Sequence, residues 1–155
     1  MAPIIRRMIE ADIPQVLLLL QNEWDCEETH TSLPQELRDM FSTASFRPTY
    51  FVAEHEDRIV ACAGWNWGWF NYDNFEFFWM CVDEPYRGRG LGKSLVDARI
   101  SDVMQYKKEG RPLYIWISTP LRERYEKFGF RVILETPRVF VRGQQAYAMV
   151  KEINQ

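Results

Sequence analysis

The part of the sequence best suited to chemistry is a basic, glycine-rich segment at residues 87–94 (RGRGLGKS), which follows a strongly hydrophobic run. Glycine lets a backbone approach a ligand where a Cβ atom would clash. The free N–H groups and the dipole in the first turn of a helix favour an anion. Because Arg87, Arg89 and Lys93 add local positive charge, the segment indicates a site for a phosphate-bearing ligand.

The spacing of these glycines separates three phosphate-binding motifs. A Walker A loop requires a glycine where this chain has Arg87, which argues against a nucleotide-hydrolysing P-loop protein. A dinucleotide-binding G-x-G-x-x-G that starts at Gly88 requires its last glycine at Lys93. The pattern R-x-x-G-x-G does fit, as Arg87, Gly90 and Gly92. The plainer alternative is a strand–turn–helix junction with glycines for tight packing, which the basic residues inside the run disfavour.

The elements around this segment alternate between β and α patterns. Strands are predicted at residues 3–8, 50–54, 58–65, 75–82, 113–117, 131–135 and 146–152. Helices are predicted from the N-cap Asp12 onward and at residues 34–41, 91–106 and 120–128, with a loop at residues 23–31. The bulky apolar run at 75–82 predicts a central strand covered on both faces. This order predicts a mixed α/β layer fold in one domain.

The loop pattern resembles the pyrophosphate signature of the GNAT superfamily of N-acetyltransferases. Val82 ends the preceding strand, and residues 125–130 (YEKFGF) look like the family's Y-E-K-x-G-F block. The resemblance implies a single N-acetyltransferase domain over residues 1–155. It also implies an α/β fold with a mixed, mostly antiparallel central sheet of about seven strands, flanked by about four helices. Ser118 stands where the family often has Asn, and its hydroxyl can still form a hydrogen bond.

The resemblance also implies a mechanism, in which a neutral amine attacks the thioester of acetyl-CoA directly in a ternary complex. Acetyl-CoA is the expected cosubstrate, and no metal is expected. The strand backbone before the loop would pair with the pantetheine, and one of its N–H groups would stabilise the oxyanion. The loop amides would hold the pyrophosphate. The expected cofactor-binding residues are Met80, Cys81, Val82, Arg87, Gly88, Arg89, Gly90, Leu91, Gly92, Lys93 and Ser118.

Tyr125 is the expected general acid, which protonates the leaving thiolate. A phenol has a pKa comparable with that of an alkyl thiol, so the proton transfer is nearly balanced. The helix at 120–128 is predicted to have Pro120 in its first turn, and helical spacing predicts that Leu121, Tyr125 and Phe128 all face inward. The alternative is a core tyrosine whose hydroxyl has a local partner.

Glu76 is the expected general base, as the only acidic residue in the run at 75–82. Strand alternation predicts that it shares a face with Met80 and Val82, and a carboxylate among aromatic residues should have a raised pKa. The alternative is a solvated or ion-paired residue, with ordered water as the base. Cys81 is predicted to be a small buried residue and not a nucleophile. The lesser candidates for the base are Glu54 and Asp83.

Two segments of the sequence indicate which class of amine the protein accepts as substrate. The first is a cluster of carboxylates that would attract a cationic amine, unless it is simply a solvated loop: Glu23, Asp25, Glu27 and Glu28. The second is a run of aromatic residues around the predicted hairpin loop at 66–74: Trp65, Trp67, Trp69, Phe70, Tyr72, Phe75, Phe77, Phe78 and Trp79. This run indicates a homodimer interface or a pocket for a ring-bearing or alkyl amine, and we favour the dimer.

Charge and composition exclude several other classes. A formal net charge of −3 argues against a nucleic-acid partner. Three cysteines without a C-x-x-C pair argue against a disulfide scaffold and a structural metal. No apolar run is long enough to cross a bilayer, so a membrane is not an expected partner. A cytoplasmic setting is expected. Two functions remain open: an active N-acetyltransferase, or a CoA-binding sensor or interaction module that has lost the chemistry.

Overall fold

Seven strands and five α-helices are present in the computed structural model, which describes residues 2–68, 72–137 and 143–154. The strands are β1 (Ile4–Arg7), β2 (Thr49–His55), β3 (Arg58–Trp67), β4 (Asn74–Val82), β5 (Leu113–Thr119), β6 (Arg131–Thr136) and β7 (Ala146–Ile153). The α-helices are α1 (Ile13–Glu23), α2 (Glu27–Thr31), α3 (Leu33–Asp39), α4 (Leu91–Val103) and α5 (Arg122–Glu126).

The strands form one sheet in the order β1-β2-β3-β4-β5-β7-β6. The pairs β1–β2, β2–β3, β5–β7 and β6–β7 are antiparallel, whereas β4 and β5 are parallel. The hydrophobic run at 75–82 therefore lies in the fourth of the seven strands. The predicted mixed, mostly antiparallel α/β sheet is confirmed.

By its internal contacts the chain divides into two compact units. The first comprises Met1–Asn66 and Trp79–Asp102 and contains β1, β2, most of β3, the end of β4 and helices α1 to α4. Its core is built from the apolar stripes of α1 and α3 and from both faces of β2 and β3, because each of these elements carries apolar residues at its own structural period. Buried members of this core are Val16, Leu20, Leu33, Leu37, Val52, Val60 and Ala61.

The second unit comprises Trp67–Phe78 and Val103–Gln155 and contains the start of β4 with β5, α5, β6 and β7. Strand β5 alternates cleanly: Ile115 and Ile117 are buried, and Ser118 is exposed. The period of two places the hydroxyl of Ser118 on the solvent side of the strand, where an apolar residue is not required. Other buried members of this core are Phe75, Phe77, Leu113, Met149 and Val150.

Two predicted features of the helices differ from the structure. The loop predicted at 23–31 contains α2, a helix in which the Thr29 hydroxyl lies 2.9 Å from the Trp24 carbonyl oxygen and 2.8 Å from that of Cys26 and can donate its single proton to either. Asp12 is the N-cap residue of α1, but its carboxylate does not cap that helix. It accepts hydrogen bonds from the backbone N–H of Ile9 and from the guanidinium of Arg6, so an ion pair with β1 replaces the helix cap.

Candidate active site

The glycine-rich segment forms an exposed loop at residues 87–90, and its residues 91–94 form the first turn of α4. A 3₁₀ turn at Glu84–Tyr86 follows β4, and the loop then runs directly into the first turn of α4. Gly88 and Gly90 have φ values of 76° and 81°. A Cβ atom on either glycine would have no heavy atom within 4 Å, so the left-handed backbone, and not lack of space, requires glycine here. The loop therefore presents its backbone openly at a helix N-terminus, where amide N–H groups lack helical partners.

The three cations of the loop have different partners. The Arg87 side chain donates to the Val82 carbonyl at 2.9 Å and to the Glu23 carboxylate at 2.6 Å. Lys93 is ion-paired with Asp97 one turn further along α4. Arg89 lies over the ring of Tyr86, with its guanidinium carbon 5.2 Å from the ring centroid. The predicted positive patch is present, but two of its three charges are neutralised within the protein.

The backbone of β4 is distorted at Trp79, where φ is 44°. A left-handed conformation is a genuine outlier for so bulky a residue, and such strain is concentrated at functional sites. The parallel ladder with β5 ends nearby, at the pair Phe77↔Ile117, although both strands continue. Strict alternation does not extend through the distorted residue, so the predicted common face of Glu76 and Met80 does not follow from their spacing.

Glu76 is half-buried on β4, and it forms no ion pair within the described ranges 2–68, 72–137 and 143–154. Burial raises the pKa of its carboxyl group, the direction that a general base requires. The lesser candidates are paired: Glu54 accepts from Arg6 at 2.6 Å, and Asp83 lies 3.8 Å from Arg58. These contacts favour Glu76 among the three carboxylates, although its role stays a prediction.

Cys81 is only 4% exposed, near the end of β4. Burial and then the negative charge of Glu23 raise the pKa of its thiol to about 12. A thiol with so high a pKa stays protonated and is a poor nucleophile. This agrees with the interpretation of Cys81 as a small buried residue.

Tyr125 lies on α5 and is 3% exposed. Its ring packs edge-on against Phe128 and Phe130, with centroids 5.7 and 5.6 Å apart. Leu121 was expected to face inward with it, but it is 45% exposed. The reason is that Leu121 is the N-cap of α5, so helical spacing does not apply to it, and Pro120 likewise precedes the helix.

The acidic segment near α2 is partly paired. Glu23 binds Arg87, and Asp25 accepts from His30 at 2.9 Å, while Glu27 and Glu28 form no ion pair with any residue that the structure describes.

Among the aromatic residues, Trp67 packs against Tyr72, Phe75 and Tyr106, with ring centroids 4.6 to 5.6 Å apart. Trp69 and Phe70 lie outside the described residues.

Two residues next to the loop were not anticipated from the sequence. Tyr86 supports Arg89, and its hydroxyl shares a hydrogen bond of 2.9 Å with Nδ1 of His55, at the end of β2. Tyr86 immediately precedes the motif and could have been considered with it. His55 is 31 positions away, and no local pattern connects it with the loop.

Within the described residues, no group of three or more His, Cys, Asp or Glu side chains could hold a metal ion. No helix in that part of the chain has the length and apolar character needed to span a membrane.

Residues 47–132, more than half of the chain, match the family model described as the acetyltransferase (GNAT) domain. The chain therefore belongs to the GNAT family of acetyltransferases. No curated protein sequence gave a significant match.

Solved structures share the fold across almost the whole chain. Ard1 from Thermoplasma volcanium has 19% identity and a TM-score of 0.79, with 100% of both chains covered. An aminoglycoside 6'-N-acetyltransferase complexed with coenzyme A has 17% identity, a TM-score of 0.74 and 96% coverage of both chains. The ribosomal-protein-S18-alanine N-acetyltransferase from Escherichia coli has 16% identity and a TM-score of 0.74, with 99% of this chain and 95% of that chain covered. At these identities the likeness establishes the fold and not the substrate.

Proposed function

We propose that this protein transfers the acetyl group of acetyl-CoA to the primary amine of a small molecule or a peptide. The observation that carries the proposal is the loop, because two left-handed glycines present exposed backbone at the start of a 13-residue helix. An anion is favoured there by the free amides and by the helix dipole. Membership of the family and the structural relative complexed with coenzyme A support acetyl-CoA as the donor.

Donor binding is assigned to residues of β4, the loop and β5. Backbone groups of Met80, Cys81 and Val82 would pair with the pantetheine, and amides from Gly88 to Lys93 would hold the pyrophosphate. The hydroxyl of Ser118 is exposed at the end of β5, so it can form a hydrogen bond with a ligand. No metal takes part in this scheme.

Acetyl transfer then needs two proton movements. Glu76 accepts the proton that the amine loses as its nitrogen bonds to the acetyl carbon. Tyr125 donates a proton to the sulfur atom as the carbon–sulfur bond breaks. Both groups are shielded from solvent, Glu76 in part and Tyr125 almost wholly, which limits competition from bulk water.

The acceptor is proposed to be cationic or ring-bearing. The exposed carboxylates of Glu27 and Glu28 support a cationic amine, since neither is neutralised by an ion pair within the described residues. Partly exposed aromatic side chains such as Tyr72 support either a ring-bearing acceptor or a homodimer interface. We place the enzyme in the cytoplasm as one functional domain over residues 1–155.

Two measurements test this proposal. Calorimetric titration should detect binding of CoA and none of ATP, and ATP binding without CoA binding would contradict it. Release of free CoA thiol from acetyl-CoA should then be followed with polyamines, aminoglycosides, amino acids, aryl amines and a lysine peptide. Turnover with at least one amine is expected. CoA binding without turnover on any amine would instead favour the sensor or interaction module.

A further inference from the structure

Arg89 differs from the other two cations of the glycine-rich segment because no carboxylate in the described part of the chain neutralises it. Arg87 is held by Glu23, and Lys93 is held by Asp97, whereas Arg89 forms no ion pair with any described residue. Arg89 lies between the left-handed Gly88 and Gly90. Neither glycine has a side chain that could pack against it. Among the described residues, the ring of Tyr86 is the contact that places the guanidinium.

Tyr86 is itself fixed from two directions. Its backbone N–H donates to the Asp83 carbonyl at 2.9 Å, which closes the 3₁₀ turn before the loop. Its hydroxyl shares the hydrogen bond with His55 Nδ1, and the two rings also meet edge to face with centroids 5.4 Å apart. Because the His55 side chain is mostly buried at the end of β2, it ties the ring of Tyr86 to the sheet.

A guanidinium held by a cation–π contact with an aromatic ring keeps its N–H donors free for another partner. Phosphate oxygens are suitable partners, because arginine can bind them through two parallel hydrogen bonds. The contact with Tyr86 also restricts the side chain of Arg89 before a ligand arrives, so less side-chain entropy must be lost when the ligand binds.

We infer that Tyr86 and His55 are positioning residues that hold Arg89 ready to bind the phosphate groups of the CoA ligand. This inference rests on the proposed function. Arg89 then forms the ionic contact with the phosphate groups. Arg87 and Lys93 do not, because each is already ion-paired with a carboxylate of the protein.

A double-mutant cycle on CoA affinity tests the inference. Arg89→Gln should raise the Kd for CoA by about tenfold or more, the scale of a charge-assisted hydrogen bond. Tyr86→Leu should raise it about two- to fivefold, the scale of an exposed cation–π contact. Tyr86→Phe, which keeps the ring but loses the hydrogen bond to His55, should fall between wild type and Tyr86→Leu.

The decisive readout is the double variant. If Tyr86 acts through Arg89, then Tyr86→Leu has no further effect on the Kd once Arg89 is Gln. If Tyr86 merely supports the local fold, it weakens CoA binding equally in both backgrounds, and that outcome would overturn the inference. Tyr147→Leu is the matched control, because Tyr147 on β7 lies under Arg122 in a similar contact and should not change the Kd.

Failure of this inference can be distinguished from failure of the proposed function. Wild-type protein that binds no CoA would overturn both. Wild-type protein that binds CoA, with additive effects in the cycle, would overturn only the role of Tyr86 and His55. A thermal melt of each variant should remain close to that of wild type, since Tyr86 is partly exposed.

Discussion

Among single residues, Tyr125 has the most direct role in the proposed chemistry, since its hydroxyl would donate the proton to the leaving sulfur. In Tyr125→Phe we expect kcat to fall by about 10²-fold, the usual scale for a general acid, with little change in the KM for acetyl-CoA. The ring contacts with Phe128 and Phe130 are retained in this variant. Tyr114→Phe on β5 removes a hydroxyl that is not assigned to the site and should keep the wild-type kcat. An unchanged kcat in Tyr125→Phe would remove the residue from the mechanism.

Glu76 predicts a particular dependence of the rate on pH. A base must be deprotonated to act, and burial raises the pKa of Glu76 above its ordinary value of 4.5. The kcat of the wild type should therefore fall as the pH drops through this raised pKa. Glu76→Gln should lower kcat by about 10²-fold and abolish that acid limb. Glu152→Gln, an exposed glutamate on β7, is the control. If Glu76→Gln keeps the fall of kcat at low pH, then water or another group, and not Glu76, accepts the proton of the amine.

At the scale of elements, the loop between β4 and α4 can be tested through its left-handed backbone. Gly90 and Gly110 have φ values of 81° and 69°, and a Cβ atom would have open space at both. An alanine at either position should therefore destabilise the protein by a similar amount, about 1–2 kcal/mol. Only Gly90→Ala should also weaken CoA binding, as measured by calorimetry. Equal Kd values for the two variants would show that the loop conformation does not serve the ligand.

The elements also show where sequence reasoning stops. Helix α1 was predictable because its apolar residues recur at helical spacing, and strand β4 was predictable because its bulky apolar residues form a run that only Glu76 interrupts. Helix α2 was not, because Thr29 stabilises it through a hydrogen bond to the carbonyl of Trp24 or of Cys26, outside any apolar pattern. The distortion at Trp79 also leaves no mark in the sequence, since tryptophan is ordinarily a good strand residue.

For the molecule as a whole, the order of elements predicted the sheet, whereas the partners of the charged side chains came only from the structure. The structure places Arg87, Arg89 and Lys93 in the segment that the motif defines, but the sequence could not reveal that Glu23 neutralises Arg87. This pair joins residues 64 positions apart and depends on how distant segments meet in the folded chain, whereas Lys93 and Asp97 are four positions apart on α4. The positive charge that the segment can offer to a ligand is therefore smaller than its three basic residues suggest, and it lies at Arg89.

Global stability should depend on the most buried ion pair of the described residues, which joins Arg6 and Asp12. Arg6 on β1 donates two hydrogen bonds to the carboxylate of Asp12, at 2.6 and 2.9 Å, and one to Glu54 on β2 at 2.6 Å. Burial of Asp12 opposes its ionisation, but the hydrogen bonds from Arg6 and from the Ile9 N–H outweigh this and lower its pKa.

A carboxyl whose pKa is lower in the folded state than its ordinary 3.8 stabilises the fold above that value, and it loses this effect as the pH falls through the lowered pKa. Asp12→Asn should therefore reduce the free energy of unfolding by about 1–2 kcal/mol at pH 7, a figure kept modest because Arg6 is partly exposed. The difference from wild type in urea unfolding should shrink as the pH is lowered below 4. Asp57→Asn makes the same charge change in an exposed turn and should stay within about 0.5 kcal/mol of wild type. A deficit in Asp12→Asn that is independent of pH would mean that packing, and not the charge of Asp12, secures this part of the fold.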